Sequence, residues 1–111
     1  MSGLLDLGPL LNPRSIAIIG ATPDASRVGG RPLTFLRRYG FAGTIYPVNP
    51  RYQEIDELRC YADVAALPET PDMAVVALPA AAVVEVIRQC SRRGVPAATI
   101  YSSGFAETGP E

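Results

Sequence analysis

A chain of 111 residues, 48% hydrophobic and 19% charged, is sized for one domain with a real core, which excludes global disorder. All ten basic residues are arginine, histidine is absent and the net charge is −1, which excludes lysine nucleophiles and imidazole acid–base chemistry from these residues. No basic stripe interleaves with aromatics, two cysteines do not make a metal site, and no apolar run approaches the roughly 18 residues of a membrane span, so the expectation is no nucleic acid, no metal within this domain and no membrane.

Leu4, Leu5, Leu7, Leu10 and Leu11 make residues 1–12 an N-terminal entry segment, a short amphipathic turn or helix docking on a sheet, ahead of a domain at 13–111. Met1 to Pro13 lacks the charged head and cleavage site of a signal peptide, and Cys60 and Cys90 read as small buried hydrophobes without a disulfide. The expected location is therefore cytoplasmic. Ser15 to Ile19 reads as a strand covered on both faces. It runs into Gly20-Ala21-Thr22, and after Ser26 and Arg27 a second glycine pair, Gly29-Gly30, opens a helix to Tyr39 with Pro32 in its first turn and Gly40 past its end. A strand that ends in a glycine-rich, hydroxyl-bearing loop before a helix start is an arrangement suited to phosphate groups. The strict Gly-x-Gly-x-x-Gly fingerprint does not occur, and the phosphate-binding loop that requires a lysine is excluded.

Thr44 to Val48 follows as a second strand, with Pro47 near its end, and stops at Asn49-Pro50. Leu58 to Tyr61 reads as a short strand, and Asp63 caps a helical turn through Ala66. Met73 to Leu78 is a third apolar strand. Pro79 opens a helix with Val83, Val86, Ile87 and Cys90 on one side, Glu85, Arg88, Gln89 and Arg92 on the other, and Gly94 at its end. Arg37-Arg38 and Arg92-Arg93 complement the two helix dipoles. Pro96 to Tyr101 is the next strand, followed by Ser102-Ser103-Gly104. This alternation predicts an α/β fold: a single Rossmann-like domain with an open parallel sheet and helices on both faces.

Ligands of such sheets sit outside the carboxyl ends of the strands. Those ends carry Gly20, Ala21 and Thr22, then Asn49, Pro50 and Arg51, then Leu78, Pro79 and Ala80, then Ser102, Ser103 and Gly104. Asn49 stands where nicotinamide-binding domains place the carboxylate that holds the ribose, which disfavours NAD, although Arg51 leaves NADP open. Arg27, Arg31 and Arg51 are candidate phosphate partners. Tyr46 and Tyr52 can stack on a base or simply pack.

Ile18-Ile19-Gly20-Ala21-Thr22, Tyr46-Pro47-Val48-Asn49-Pro50, Val75-Val76-Ala77-Leu78-Pro79-Ala80 and Ser102-Ser103-Gly104-Phe105-Ala106-Glu107, in that order, resemble the CoA-binding domain of NDP-forming acyl-CoA synthetases of the acetate–CoA ligase type, relatives of the succinyl-CoA synthetase alpha subunit. The resemblance implies CoA phosphates near Gly20, Ala21, Thr22, Ser26, Val28 and Gly29, and a further wall from Asn49, Pro50 and Arg51. It implies that Ala77, Leu78 and Pro79 border the nucleotide or pantetheine, with Ser102, Ser103 and Gly104 toward the thiol. Thr22 keeps the hydroxyl of a common serine, whereas Ser102-Ser103-Gly104 departs from the Thr-Glu-Gly of succinyl relatives. The family joins a carboxylic acid to CoA with NTP cleavage to NDP and phosphate, using a phosphohistidine and a nucleotide-grasping site on downstream domains or subunits. A chain without histidine that stops after Gly109-Pro110-Glu111 is then expected to be a truncated part of a longer protein that binds CoA without turning it over. The resemblance also admits a CoA-sensing or acyl-CoA-sensing regulatory module, as in fusions to acetyltransferases, while an NAD(P)-dependent oxidoreductase fragment is the third reading.

Overall fold

Strand β1 (Ser15–Ile19) is buried at every position, as a run of aliphatic and small residues requires when both faces of a strand are covered. The computed structural model describes residues 13–24 and 27–100. The expected entry segment at 1–12, Ser26, and Ser102, Ser103 and Gly104 fall outside these described residues.

From β1 the chain passes through a 3-10 turn at Val28–Gly30 into α1 (Arg31–Arg38), then into β2 (Thr44–Val48). A two-stranded antiparallel hairpin follows, β3 (Glu54–Ile55) with β4 (Leu58–Arg59), and then a 3-10 turn at Val64–Ala66. Next come β5 (Met73–Val76), α2 (Ala80–Arg93) and β6 (Ala98–Ile100). The four long-range strands pair in parallel in the order β2-β1-β5-β6.

The period of two along β1 sorts the core into two layers. Ile16 and Ile18 pack with Leu33 of α1 and with Ile55 and Cys60. Ala17 and Ile19 face the other way, onto Val83, Val86 and Cys90 of α2 and onto Val64 and Leu67. Each face of the sheet therefore has its helix, as the alternation of elements predicts. The two thiols are free and lie in opposite layers, so the sheet separates them.

Several boundaries are tighter than the sequence implies. The first helix begins at Arg31 because Val28–Gly30 winds as 3-10, the strand expected at 73–78 ends at Val76, and the strand expected at 96–101 begins at Ala98, with Tyr101 outside the described residues. The strand expected at 58–61 divides: β4 belongs to the hairpin, while Tyr61 makes a single parallel bridge to Val48. Pro47 is tolerated because β2 is the sheet's edge and the Pro47 carbonyl, which accepts from Tyr61 N at 2.9 Å, faces away from β1. Asp63 caps the Val64–Ala66 turn through Oδ1, which accepts from Ala66 N at 2.9 Å.

Candidate functional site

The chain leaves β1 through α1 to reach β2 on one side of it, and later places β5 on the other side. That reversal opens a crevice at the carboxyl ends of the strands. A cavity of about 750 Å³ lies there, reaching down to Ile19, Val48 and Ala77.

One wall is backbone. Gly20 has φ +91°, and its N–H donates to Val48 O at 2.8 Å; a Cβ there would stand 2.3 Å from Ala77 O. Gly29 folds back against it, with Thr22 N donating to Gly29 O at 3.3 Å, and a Cβ on Gly29 would meet Gly20 O at 2.0 Å. Two glycines are therefore required by close backbone approach, which leaves Thr22, Val28 and Gly29 on the cavity surface. Thr22 is almost fully buried; its Oγ1 accepts from Asp24 N at 3.3 Å and lies 3.5 Å from the Tyr52 hydroxyl.

The opposite wall comes from the end of β2. Asn49, Pro50, Arg51 and Tyr52 all line the cavity. Asn49 Nδ2 donates to Ala21 O at 2.9 Å and its Oδ1 accepts from Arg51 N at 2.9 Å. Ala77, Leu78 and Pro79 close the third side. Pro79 is the cap residue of α2 and makes no side-chain capping bond, and the first turn carries no acid. The N-terminal amides of α2 thus leave partial positive charge at this end of the sheet.

Of the residues expected at the site, Gly20, Thr22, Val28, Gly29, Asn49, Pro50, Arg51, Ala77, Leu78 and Pro79 are brought together around this one cavity. Ala21 is not among the lining residues; it is fully buried and contributes its carbonyl to Asn49. Arg27 and Arg51 are the arginines on the lining, whereas Arg31 points out from α1 and is exposed. Tyr52 reaches the cavity. Tyr46 does not: it packs in the α2-side core, edge-on to Tyr61 at 5.8 Å between ring centroids, with its hydroxyl donating to Glu69 Oε2.

The cavity also extends where sequence reasoning did not look. Ala62, Asp63 and Val64 line it, facing Val86 and Gln89 of α2, although helical periodicity places Gln89 on the outward side. The reason is topological. Between β2 and β5 the chain forms the β3–β4 hairpin and then a three-residue helical turn, Val64–Ala66, where a full helix would cover the flank of α2. The short, proline-terminated helical segment at 63–68 was the available signal. Asp24 and Asp63 add two carboxylates to the lining; Asp24 lies on the same loop as Arg27, whose backbone N–H donates to Asp24 O at 3.0 Å, and Asp63 caps the Val64–Ala66 turn. Beneath Asn49, the Cys60 thiol sits 3.5 Å from the Asn49 carbonyl, and burial pushes its pKa up, only partly offset by its contacts with the Asn49 and Tyr61 backbone.

Comparison with known proteins places this architecture. Acetate–CoA ligase [ADP-forming] II of Archaeoglobus fulgidus is 43% identical over 104 residues, which cover 94% of this chain and 16% of that protein. Acetate–CoA ligase [ADP-forming] I subunit alpha of Pyrococcus furiosus is 39% identical over 111 residues, covering 96% of this chain and 24% of the relative. A solved structure of a Ca. Korarchaeum cryptofilum dinucleotide forming acetyl-coenzyme A synthetase, in complex with phosphate and ADP, superposes with a TM-score of 0.84 at 42% identity, over 96% of this chain and 23% of that one. The chain thus spans a quarter or less of the length of these relatives. Its residues 14–108, which include every strand end that opens onto the cavity, match the CoA binding domain, and the chain belongs to that family.

Proposed function

We propose that this chain binds coenzyme A across the carboxyl ends of β1, β2 and β5 and serves as the CoA-presenting part of an NDP-forming acyl-CoA synthetase. The observation that carries the reading is the pairing of a backbone-walled glycine loop with Arg27 and Arg51 on a single cavity. CoA brings a diphosphate and a 3′-phosphate, and these need amide donors and cations in that arrangement. Gly20, Thr22, Val28 and Gly29 take the diphosphate, Arg51 the 3′-phosphate, and Ala77, Leu78 and Pro79 the pantetheine side; Ser26 and Ser102–Gly104 join them on the strength of the sequence resemblance.

Asn49 favours CoA over NAD, because both ends of its amide are committed to backbone groups and no carboxylate is offered to a ribose diol. In the full reaction the CoA sulfur attacks the carbonyl carbon of an acyl phosphate, the thioester C–S bond forms, phosphate departs, and the thiol proton goes to solvent or phosphate. The acyl phosphate is made on other domains or subunits bearing the phosphohistidine and the nucleotide-grasping site, since this chain contains no histidine. The setting is the cytoplasm, where CoA and NTP meet and buried thiols stay reduced.

Isothermal titration of the full chain with CoA, dephospho-CoA, NAD and NADP at low salt tests the reading. The expected result is binding of CoA in preference to the other three. Preference for NAD or NADP, or no binding of any, overturns it.

A further inference from the structure

We infer that Asn49 is a positioning residue that sets Arg51 against the glycine loop, and so decides how strongly the site distinguishes CoA from dephospho-CoA; the inference rests on the CoA reading above. Every polar group of Asn49 is in use. Its backbone N–H donates to Tyr61 O at 2.8 Å, and its carbonyl accepts from Tyr52 N at 3.3 Å and faces the Cys60 thiol at 3.5 Å. Its side chain spans the crevice between two strand ends, donating to Ala21 O and accepting from Arg51 N, each at 2.9 Å. The amide orientation is fixed by its partners, since a flip would set oxygen against carbonyl and NH₂ against N–H.

The two bonds do different things. The bond to Ala21 ties the glycine loop after β1 to the end of β2. The bond to Arg51 N closes an Asx turn, which fixes the backbone from which the Arg51 side chain departs. Arg51 is exposed, and its guanidinium makes no hydrogen bond, ion pair or ring contact among the described residues, so its placement depends on where its backbone is held. An aspartate would keep the Asx turn but set a carboxylate against the Ala21 carbonyl. Asparagine alone among the short side chains supplies a donor on one arm and an acceptor on the other. The residue that stands at the nucleotide-selecting position of β2 thus acts through Arg51 instead of touching the ligand.

The test compares CoA with dephospho-CoA in the full chain and in Asn49→Ala, Asn49→Ser and Arg51→Ala, by titration calorimetry. The unsubstituted chain is expected to prefer CoA by about tenfold or more, the worth of one charge-assisted hydrogen bond. Arg51→Ala removes that preference, and Asn49→Ala reduces it to about threefold or less. Serine can still accept from Arg51 N but is too short to reach Ala21, so Asn49→Ser weakens both ligands and keeps most of the preference. Equal weakening of both ligands by Asn49→Ala, with the ratio unchanged, overturns the role of Asn49 and leaves CoA binding standing. An unsubstituted chain that binds neither ligand overturns both. Hydrogen exchange at the Arg51 amide of the unsubstituted chain guards against a variant that fails to fold: slowed exchange is expected, and exchange at the rate of an unstructured peptide overturns the inference.

Discussion

Tyr46 shows how one side chain can be diverted from a ligand to the fold. An aromatic in the middle of β2, ahead of the strand end that opens onto the cavity, can stack on a base, yet it turns onto the α2 face, buried, with its hydroxyl on Glu69. Burial comes first among the causes, with the Glu69 carboxylate adding to it, that hold its pKa up at about 12 against an ordinary 10.0. A phenol whose folded pKa exceeds its unfolded value contributes stability that is complete below pH 10.0 and is lost as pH rises toward about 12. Urea unfolding between neutral pH and about pH 11 is therefore expected to show a decline that Tyr46→Phe makes shallower, the buried thiols of Cys60 and Cys90, whose pKa values burial also raises, carrying the rest. At neutral pH the same substitution is expected to cost about 1 kcal/mol, one hydrogen bond, since the exposed Glu69 carboxylate remains solvated. A Tyr46→Phe chain whose alkaline profile matches the parent would place the titration elsewhere.

At the scale of elements, the β3–β4 hairpin is the piece whose sequence argues least for it. Its two-residue turn holds Asp56 at φ 50° and Glu57 at φ 70°, both left-handed, where Asn-Gly is the favoured pair. The turn survives because the rest of the hairpin is anchored. Ile55 is buried in the α1-side core, Cys60 N donates to Gln53 O at 2.9 Å, and Arg37 Nη2 of α1 reaches Asp56 O at 2.7 Å. A left-handed non-glycine residue costs roughly 1–2 kcal/mol, part of which glycine gives back in chain entropy. Glu57→Gly is accordingly expected to stabilise the chain by about 0.5–1 kcal/mol, read as a higher urea midpoint at unchanged slope. A lower midpoint would show that the Glu57 side chain contributes more than its backbone conformation costs.

Over the whole molecule, a net charge of −1 offers no general attraction to a polyanion such as CoA. Attraction has to be local, and the arginines on the cavity are Arg27 and Arg51. Raising ionic strength from about 0.01 M to 1 M shortens the screening length from about 30 Å to 3 Å. CoA affinity is expected to fall across that range, and the Arg27→Ala/Arg51→Ala double variant to show a much flatter dependence. Equal slopes for parent and variant would assign the phosphate contacts to backbone amides and helix termini alone.

Much of the architecture is a local property of the chain. The aliphatic run at 15–19, the glycines after it, Pro32 and Gly40 around α1, and the Asp63 cap each specify their element through steric and hydrogen-bonding preferences that need no distant partner. The parallel sheet, and with it the strand ends as the place to seek a site, follow from the alternation of those elements. The tertiary structure decided what depends on residues far apart in sequence. It put Arg51 on the cavity and Arg31 off it, gave Ala21 to Asn49, turned Tyr46 inward, and opened the flank of α2 to bring in Gln89. Periodicity tells which side of a helix is apolar, and the composition of a loop tells that it can meet a ligand. Which side chains share one space is set by the order in which the strands pair, and that order is a free-energy balance over the whole chain.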